Sequence, residues 1–317
     1  MTGLNTGSIA VNVADAVTGT ADVFNLKLNA ASNLVNTGVI NVANVEKINI
    51  VTGSTGASAP TAVSKVNLVD AAATTVTVTG NHGVDFTGST LSSLTNLDAS
   101  GVTATGTAGA ITFTSTVADK AMTVATGSGN DMIDLRSVTV GTVNSSINTG
   151  AGDDTVYGTS GSDTINLGAG RDMVFSTGGK DVITLGAGND VYTLLSATNS
   201  TAAAFDTITD FQANTVGGST VASGATTTVA SLNGDTIALK LAASITGVSV
   251  KVVTDFNAAT AWLTSVGGGS VHNTAGIALD STTGKVYIDM DANGTLDSVI
   301  TLTGVSTLNE AAFVITR

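Results

Sequence analysis

The 317-residue chain has no cysteine, one proline (Pro60), few aromatics (4%) and few charged residues (11%). Without cysteine there can be no disulfide framework, thiol catalysis or thiolate metal site. A chain that works outside the cell without disulfides needs another staple, and bound metal is the usual substitute. Cations are scarce, with 11 Lys plus Arg against 24 Asp plus Glu and a net charge of −13. Nucleic acid is therefore excluded as a partner, because phosphate binding needs clustered cations. No run approaches the ~20 apolar residues that span a bilayer, so the chain is not expected to be membrane-spanning. The amino-terminal MTGLNTGSIAVNV lacks the basic start and apolar core of a signal peptide, and export by such a signal is not expected of the chain as given.

Catalytic signatures are missing as well. The two histidines, His82 in TGNHGVDF and His272 in GGSVHNT, belong to no H-E-x-x-H motif, and no G-x-S-x-G elbow occurs. Zinc protease and lipase chemistry are thereby excluded, and the chain is expected not to be an enzyme. Both histidines are expected in exposed loops. Phe256 and Trp262 in TDFNAATAWL are expected in the core of a cap rather than on a sugar-binding platform. A β-helix polysaccharide lyase would need a cleft of clustered acids and bases, and residues 1–125 offer none.

What the chain does contain is 37 glycines and an abundance of Thr, Ser, Ala and Val, which suits short, closely stacked strands. The expected fold class is all-β, in three regions. Residues 1–125 read as short alternating strands such as SIAVNVADAV, VEKINIVTG and TTVTVTG, forming a β-solenoid or a layered sheet. LNAASNLVN and LSSLTNLDAS each have room for one helical turn, but no long stretch shows a 3.6-residue apolar period. Residues 126–193 hold a repeat, and residues 194–317 form a β-rich cap interrupted by a Gly/Ser/Thr-rich stretch at 215–230. Within the cap, KVYIDMDANGTLDSVITL reads as a hairpin whose turn carries Asp289, Asp291, Asn293, Gly294 and Asp297.

The repeat is arithmetic. Residues 149–193 divide into TGAGDDTVY, GTSGSDTIN, LGAGRDMVF, STGGKDVIT and LGAGNDVYT. Asp154, Asp163, Asp172, Asp181 and Asp190 hold the sixth positions, and Gly152, Gly161, Gly170, Gly179 and Gly188 the fourth. Gly150, Gly168 and Gly186 hold second positions. An earlier copy, TGSGNDMID at 126–134, supplies Gly129 and Asp131 ahead of a 14-residue insert at 135–148. A plain turn would accept Asn or Ser at the sixth position, yet all six copies hold Asp. Calcium takes six to eight oxygens from carboxylates and backbone carbonyls at ~2.3–2.6 Å, and glycine lets a loop turn its carbonyls inward. Ca2+, as several ions, is therefore the expected cofactor. The DMDANGTLD turn also satisfies D-x-D-x-[DN]-G, but Ile300 stands where an EF-hand has its bidentate Glu. An Asn-Gly hairpin turn explains the same residues.

These nonapeptides resemble the G-G-x-G-x-D-x-U-x repeats of the RTX family, the calcium-binding parallel β-rolls of type-I-secreted bacterial proteins. The resemblance implies that two nonapeptides make one turn, so that Asp154, Asp172 and Asp190 line one edge while Asp163 and Asp181 line the other. Thr149, Leu167, Ser176 and Leu185 depart from the family's first-position Gly, and Thr159 and Thr177 from its second. Both second-position exceptions fall on the Asp163/Asp181 edge. DVYTLL, FDTITDF and GDTIALKL are similar to the segment that follows the roll in serralysin-type proteases. That likeness implies a cap with an uncleaved secretion signal, and Asp206, Asp210 and Asp235 as ligands of the last calcium. The low-charge β region and LTNLDASGVTATG are similar to type-I-secreted surface-layer proteins. This implies a structural protein at the cell surface whose partners are copies of itself, the type I secretion machinery and, as a candidate, cell-surface polysaccharide. The alternative reading is the secretion and folding tail of an RTX adhesin or exoenzyme.

Overall fold

The computed structural model describes residues 8–11, 21–30, 36–54, 63–140, 143–213, 234–241, 245, 247–267, 274–308 and 310–316. His272, Pro60 and the 215–230 stretch lie outside them. Nearly all the regular structure among the described residues is β-strand, joined by turns, and the chain divides into two compact units, 1–169 and 170–317.

In the first unit the chain alternates between two parallel ladders. One takes Ser8–Val11, Asn36–Val42, Ser64–Val69, Val84–Asp85, Ile111–Thr114, Met132–Asp134 and Thr155–Tyr157. The other takes Val23–Ala30, Lys47–Ser54, Thr75–Gly80, Asn96–Val102, Thr123–Ala125, Ser146–Asn148 and Thr164–Asn166. Of the two expected architectures for 1–125, this is the solenoid, and its ladder crosses 125/126 without a break. Thr123–Ala125 pairs in parallel with Asn96–Asp98 on one side and Ser146–Asn148 on the other. Strand alternation sends every second residue inward, so identical faces stack from coil to coil. Ile48, Val76, Leu97, Val124, Ile147 and Ile165 are register partners in one buried row. Thr75, Thr77 and Thr79 point the other way.

Coil length varies along this unit. Lys47 pairs with Thr75 and Thr75 with Asn96, so these coils take 28 and 21 residues, whereas Ser146 pairs with Thr164 after 18. The longer coils fill their turns with buried apolar side chains, among them Val45, Ala73, Leu91, Leu94, Val117 and Met122. LSSLTNLDAS is such a turn: the amide of Leu94 bonds the carbonyl of Leu91 at 3.2 Å, and a strand begins at Asn96. In LNAASNLVN, the described residues belong to the ends of two strands. The expectation of an exposed His82 fails. This side chain is 1% exposed, with Nε2 2.8 Å from the Ser64 hydroxyl, because the turn at Asn81–Gly83 folds under the hydroxyl of Thr52, which bonds the His82 carbonyl.

The second unit also has two ladders. Met173–Ser176, Val191–Leu194, Thr236–Lys240 and Phe313–Thr316 form one. In the other, Val182–Thr184, Asp206–Ile208 and Ser298–Leu302 are followed by Lys285–Asp289, Thr274–Asp280 and Gly247–Val253. Lys285–Asp289 pairs antiparallel with Ser298–Leu302, the hairpin read from the sequence. A 12-residue helix, Phe256–Gly267, was not expected. Asp255 caps it by accepting the amide of Ala258 at 2.8 Å. Its buried Ala259 and Leu263 pack with Val253, Ala278, Tyr287 and Val299, and Trp262 lies against the same cluster. Phe256, by contrast, is largely exposed, its ring 5.4 Å from that of Tyr287. The spacing of 256, 259 and 263 behind an Asp cap was the available helix signal, masked by Asn and Thr at neighbouring positions.

Candidate metal centre

Each nonapeptide ends in a strand of three or four residues whose middle, the eighth position, faces inward. Ile133, Val156, Ile165, Val174, Ile183 and Tyr192 are all buried. They stack in register, Ile133 on Val156, Ile147 on Ile165, and Val174 on Tyr192. With the eighth residue anchored inside, the sixth is drawn into the turn. Asp131, Asp154, Asp163, Asp172, Asp181 and Asp190 are each no more than 2% exposed, which is extreme for a carboxylate.

The buried carboxylates are tied from turn to turn. Asp131 accepts the amide of Ile111 at 2.6 Å, and its own amide donates to Asp154 at 2.7 Å. In the second unit the amide of Asp172 donates to Asp190 at 2.8 Å, and that of Asp190 to Asp235 at 3.2 Å. On the other edge the amide of Ser145 donates to Asp163 at 2.7 Å, and that of Asp181 to Asp206 at 3.0 Å. Each of these bonds uses Oδ1. The Oδ2 atoms of Asp131 and Asp190 are buried with no hydrogen-bond partner among the described residues.

Electrostatics follows from this burial. Desolvation pushes Asp131 up to about 7 against the donors that favour its charged form. Desolvation also raises Asp154 to about 7, helped by the charge of Asp131. Asp190 reaches about 7 by burial first and then by the neighbouring Asp172, Asp235 and Asp210. A buried carboxylate with an oxygen that no donor meets is costly, and a divalent cation removes that cost. The donor set is oxygen only, the hard ligand chemistry that calcium takes.

The glycines let the turns approach closely. Gly150, Gly152, Gly168, Gly170, Gly186 and Gly188 have φ between 93° and 151°, a region open to glycine and little else. A Cβ on Gly168 would lie 1.8 Å from the carbonyl oxygen of Gly150. Gly129, Gly161 and Gly179 share the fourth position, and of these Gly179 has positive φ, at 94°. The first-position departures are interior: Thr149, Leu167, Ser176 and Leu185 are all buried, and the Thr149 hydroxyl donates to the Leu167 carbonyl at 2.8 Å.

Two overlapping stretches, residues 141–174 and 157–192, match the family model described as the RTX calcium-binding nonapeptide repeat (4 copies). The chain carries RTX repeats. They bind calcium, and Ca2+ is the cofactor that the row of buried aspartates fits. No curated protein matches the chain.

The RTX match begins inside what reads from the sequence as an insert. Residues 140–148, VGTVNSSIN, are in phase with the following copy, with Ser145 at the sixth position and Ile147 at the eighth. Ser145 behaves as its aspartate counterparts do: its hydroxyl accepts the amide of Met122 at 3.0 Å, and its own amide donates to the next carboxylate. The five residues 135–139 account for the extra length, with Leu135 and Val138 buried in the turn. Beyond the roll, FDTI and GDTI repeat the Asp-Thr-Ile of positions 163–165. Ile208 pairs with Ile183 and Ile237 with Tyr192, so Asp206 and Asp235 are sixth-position residues of degenerate copies. The signal for both continuations was the phase of the eighth residue rather than the glycines.

The three cap aspartates part company. Asp235 is bonded by Asp190 and by the amide of Gln212 at 2.7 Å, and Asp210 accepts the amides of Leu185 and Gly186 at 2.9 and 2.8 Å. Both lie close enough to Asp190 to raise its pKa. Asp206 belongs to the other edge, its Oδ2 accepting the hydroxyls of Tyr192 at 2.6 Å and Ser176 at 2.9 Å. In the hairpin turn, carboxylate oxygens of Asp289, Asp291 and Asp297 lie within 4.8 Å of one another. Both oxygens of Asp289 accept amides, from Asn293 and Gly294. Asn293 donates its side-chain amide to Asp291 at 2.8 Å.

Proposed function

We propose that the chain is a structural component of a bacterial surface coat, exported by a type I system, folded by extracellular calcium and assembled with copies of itself. The observation that supports this most is the outer surface of the first unit's ladders. The outward faces are rich in Thr, Asn and Ser, as in Thr75, Thr77 and Thr79 or the Asn25–Asn49 side-chain bond at 2.9 Å, with charges such as Lys27, Lys47 and Asp98 scattered among them. Such faces are flat and weakly solvated, and they pack once long-range repulsion is relieved. At a net charge of −13, neighbours repel, and at physiological salt this acts over ~8 Å. Bound calcium neutralises the acidic turns, whereas sodium only screens. Cell-surface polysaccharide is the candidate anchor for such a coat.

Light scattering and negative-stain microscopy over a calcium series, with sodium controls at equal ionic strength, test this reading. Ordered sheets with calcium alone are expected. Persistent monomers at millimolar calcium and high protein concentration would favour a secretion and folding tail for an upstream adhesin or enzyme domain.

A further inference from the structure

We propose that in each unit calcium binds along one edge only, that of Asp131 and Asp154 in the first and of Asp172 and Asp190 in the second, and that the opposite edge, with Asp163 in the first and Asp181 and Asp206 in the second, is closed by hydrogen bonds in place of ions. The proposal rests on the calcium reading of the RTX repeats and assigns the ions within it.

The two edges differ in carboxylate partners, and the difference recurs in both units. In the first unit, Asp131 has a buried Oδ2 with no partner among the described residues. Asp163, equally buried, is surrounded by donors. The Thr159 amide meets its Oδ2 at 2.6 Å, the Thr159 hydroxyl lies 2.8 and 3.0 Å from its two oxygens, and the Ser145 amide meets Oδ1 at 2.7 Å. In the second unit, Asp190 has the partnerless Oδ2, while Asp206 has both oxygens filled by the Asp181 amide and the hydroxyls of Ser176 and Tyr192. A cation needs lone pairs. Where N–H and O–H hydrogens already point at the carboxylate, they stand where the ion would and repel it.

Backbone conformation gives an independent reason. In the copies that hold Asp154, Asp172 and Asp190, the second and fourth positions are all glycines with positive φ. On the opposite edge the second positions are Thr159 and Thr177, neither with positive φ, and of Gly161 and Gly179 only the latter has it. The loop that turns its carbonyls with two left-handed residues is therefore absent there. The same edge also begins with Ser145, a residue without a carboxylate, where the other begins with Asp131. At Asp163 the second-position Thr159 thus supplies its own amide and hydroxyl in place of an ion.

Calcium bound per chain, measured by equilibrium dialysis on the full chain, decides this. Serine is the substitution of choice because Ser145 already occupies a sixth position. Asp190→Ser is expected to lower the number of bound ions by at least one, and Asp163→Ser to leave it unchanged. An equal loss in the two variants overturns the one-edge assignment. No binding by the unsubstituted chain at millimolar calcium would instead defeat the calcium reading itself. Should Asp163→Ser fail to fold, anomalous scattering from crystals of the unsubstituted chain grown with calcium gives the answer. Peaks beside Asp131 and Asp190 are expected. A peak within the ~2.6 Å coordination distance of the Asp163 or Asp206 carboxylate overturns the proposal.

Discussion

The early coils of the first unit and the nonapeptide coils that follow them share one ladder but close their turns by different means. Between Lys47 and Thr123, coils of 21 to 28 residues fill their corners with Val45, Ala73, Leu91, Leu94, Val117 and Met122. In the 18-residue coils the corner side chain is Asp, and its neighbours are glycines. The shorter turns still bury Leu167 and Leu185, but they bury carboxylates beside them, whose charge must be met by something the chain does not carry. Residues 135–139 show the exchange in one place: where five residues are added, Leu135 and Val138 return to the turn. The strands set the shape of the coil, while the turns decide whether its stability is built in or supplied by the solvent.

Removing calcium breaks this comparison most sharply. With chelator, amides of residues 143–193 are expected to exchange hydrogen freely while those of 63–125 stay protected, as read by hydrogen–deuterium exchange with mass spectrometry. Uniform protection with and without chelator would show that the nonapeptide turns need no ion. Each site held at ~100 times its dissociation constant adds about 2.7 kcal/mol, so several sites together outweigh the marginal stability of a domain.

The converse test removes a plug. Leu94→Ala is expected to cost about 2–5 kcal/mol, seen as a lower thermal midpoint for the early coils with the calcium midpoint unchanged. A shift of the calcium midpoint by the same variant would mean that the two kinds of turn fold as one.

A smaller effect grades the acidic turns. Asp172→Ala is expected to raise the calcium midpoint of folding more than Asp131→Ala, because Asp131 precedes the added 135–139 segment whereas Asp172 lies within the unbroken repeat. Equal midpoints by circular dichroism would refute the graded arrangement.

The smallest prediction concerns His82, a buried titratable side chain among the early coils. Burial holds its pKa below the ordinary 6.5, so the unfolded chain takes up the proton first as pH falls. Its contribution is therefore complete above about pH 6.5 and is lost progressively below it. The unsubstituted chain is expected to lose thermal stability between pH 7 and 5 by more than His82→Gln does, in chelator, where the acidic turns do not contribute. Parallel curves for the two proteins would remove His82 from the account.

The sequence made the nonapeptide core legible because its chemistry is periodic: an Asp every nine residues with Gly two before it admits few explanations. It hid the continuations. Ser145, Asp206 and Asp235 keep the phase of the eighth residue but lose the fourth-position glycine, and phase is invisible unless the flanking copies fix it. His82 misled because a polar side chain between Asn and Gly looks like a loop tip, whereas the Thr52 and Ser64 hydroxyls make a polar socket for it from coils far away in sequence. The helix Phe256–Gly267 went unseen because its buried stripe includes a small Ala259 and its exposed side includes a Phe.

The ladder of amide-to-carboxylate bonds has a direction. In each of these steps the amide belongs to the earlier turn and the carboxylate to the later one: Ile111 to Asp131 to Asp154, Ser145 to Asp163, and Asp172 to Asp190 to Asp235. Backbone bonds run the other way: the amide of Thr155 donates to the carbonyl of Asp131, that of Thr164 to Ser145 and that of Val191 to Asp172. Each turn is thus tied to its successor through a carboxylate and to its predecessor through the backbone. Removing either neighbour leaves hydrogen-bonding groups of a turn without their partners, so such a stack comes apart from whichever end opens first.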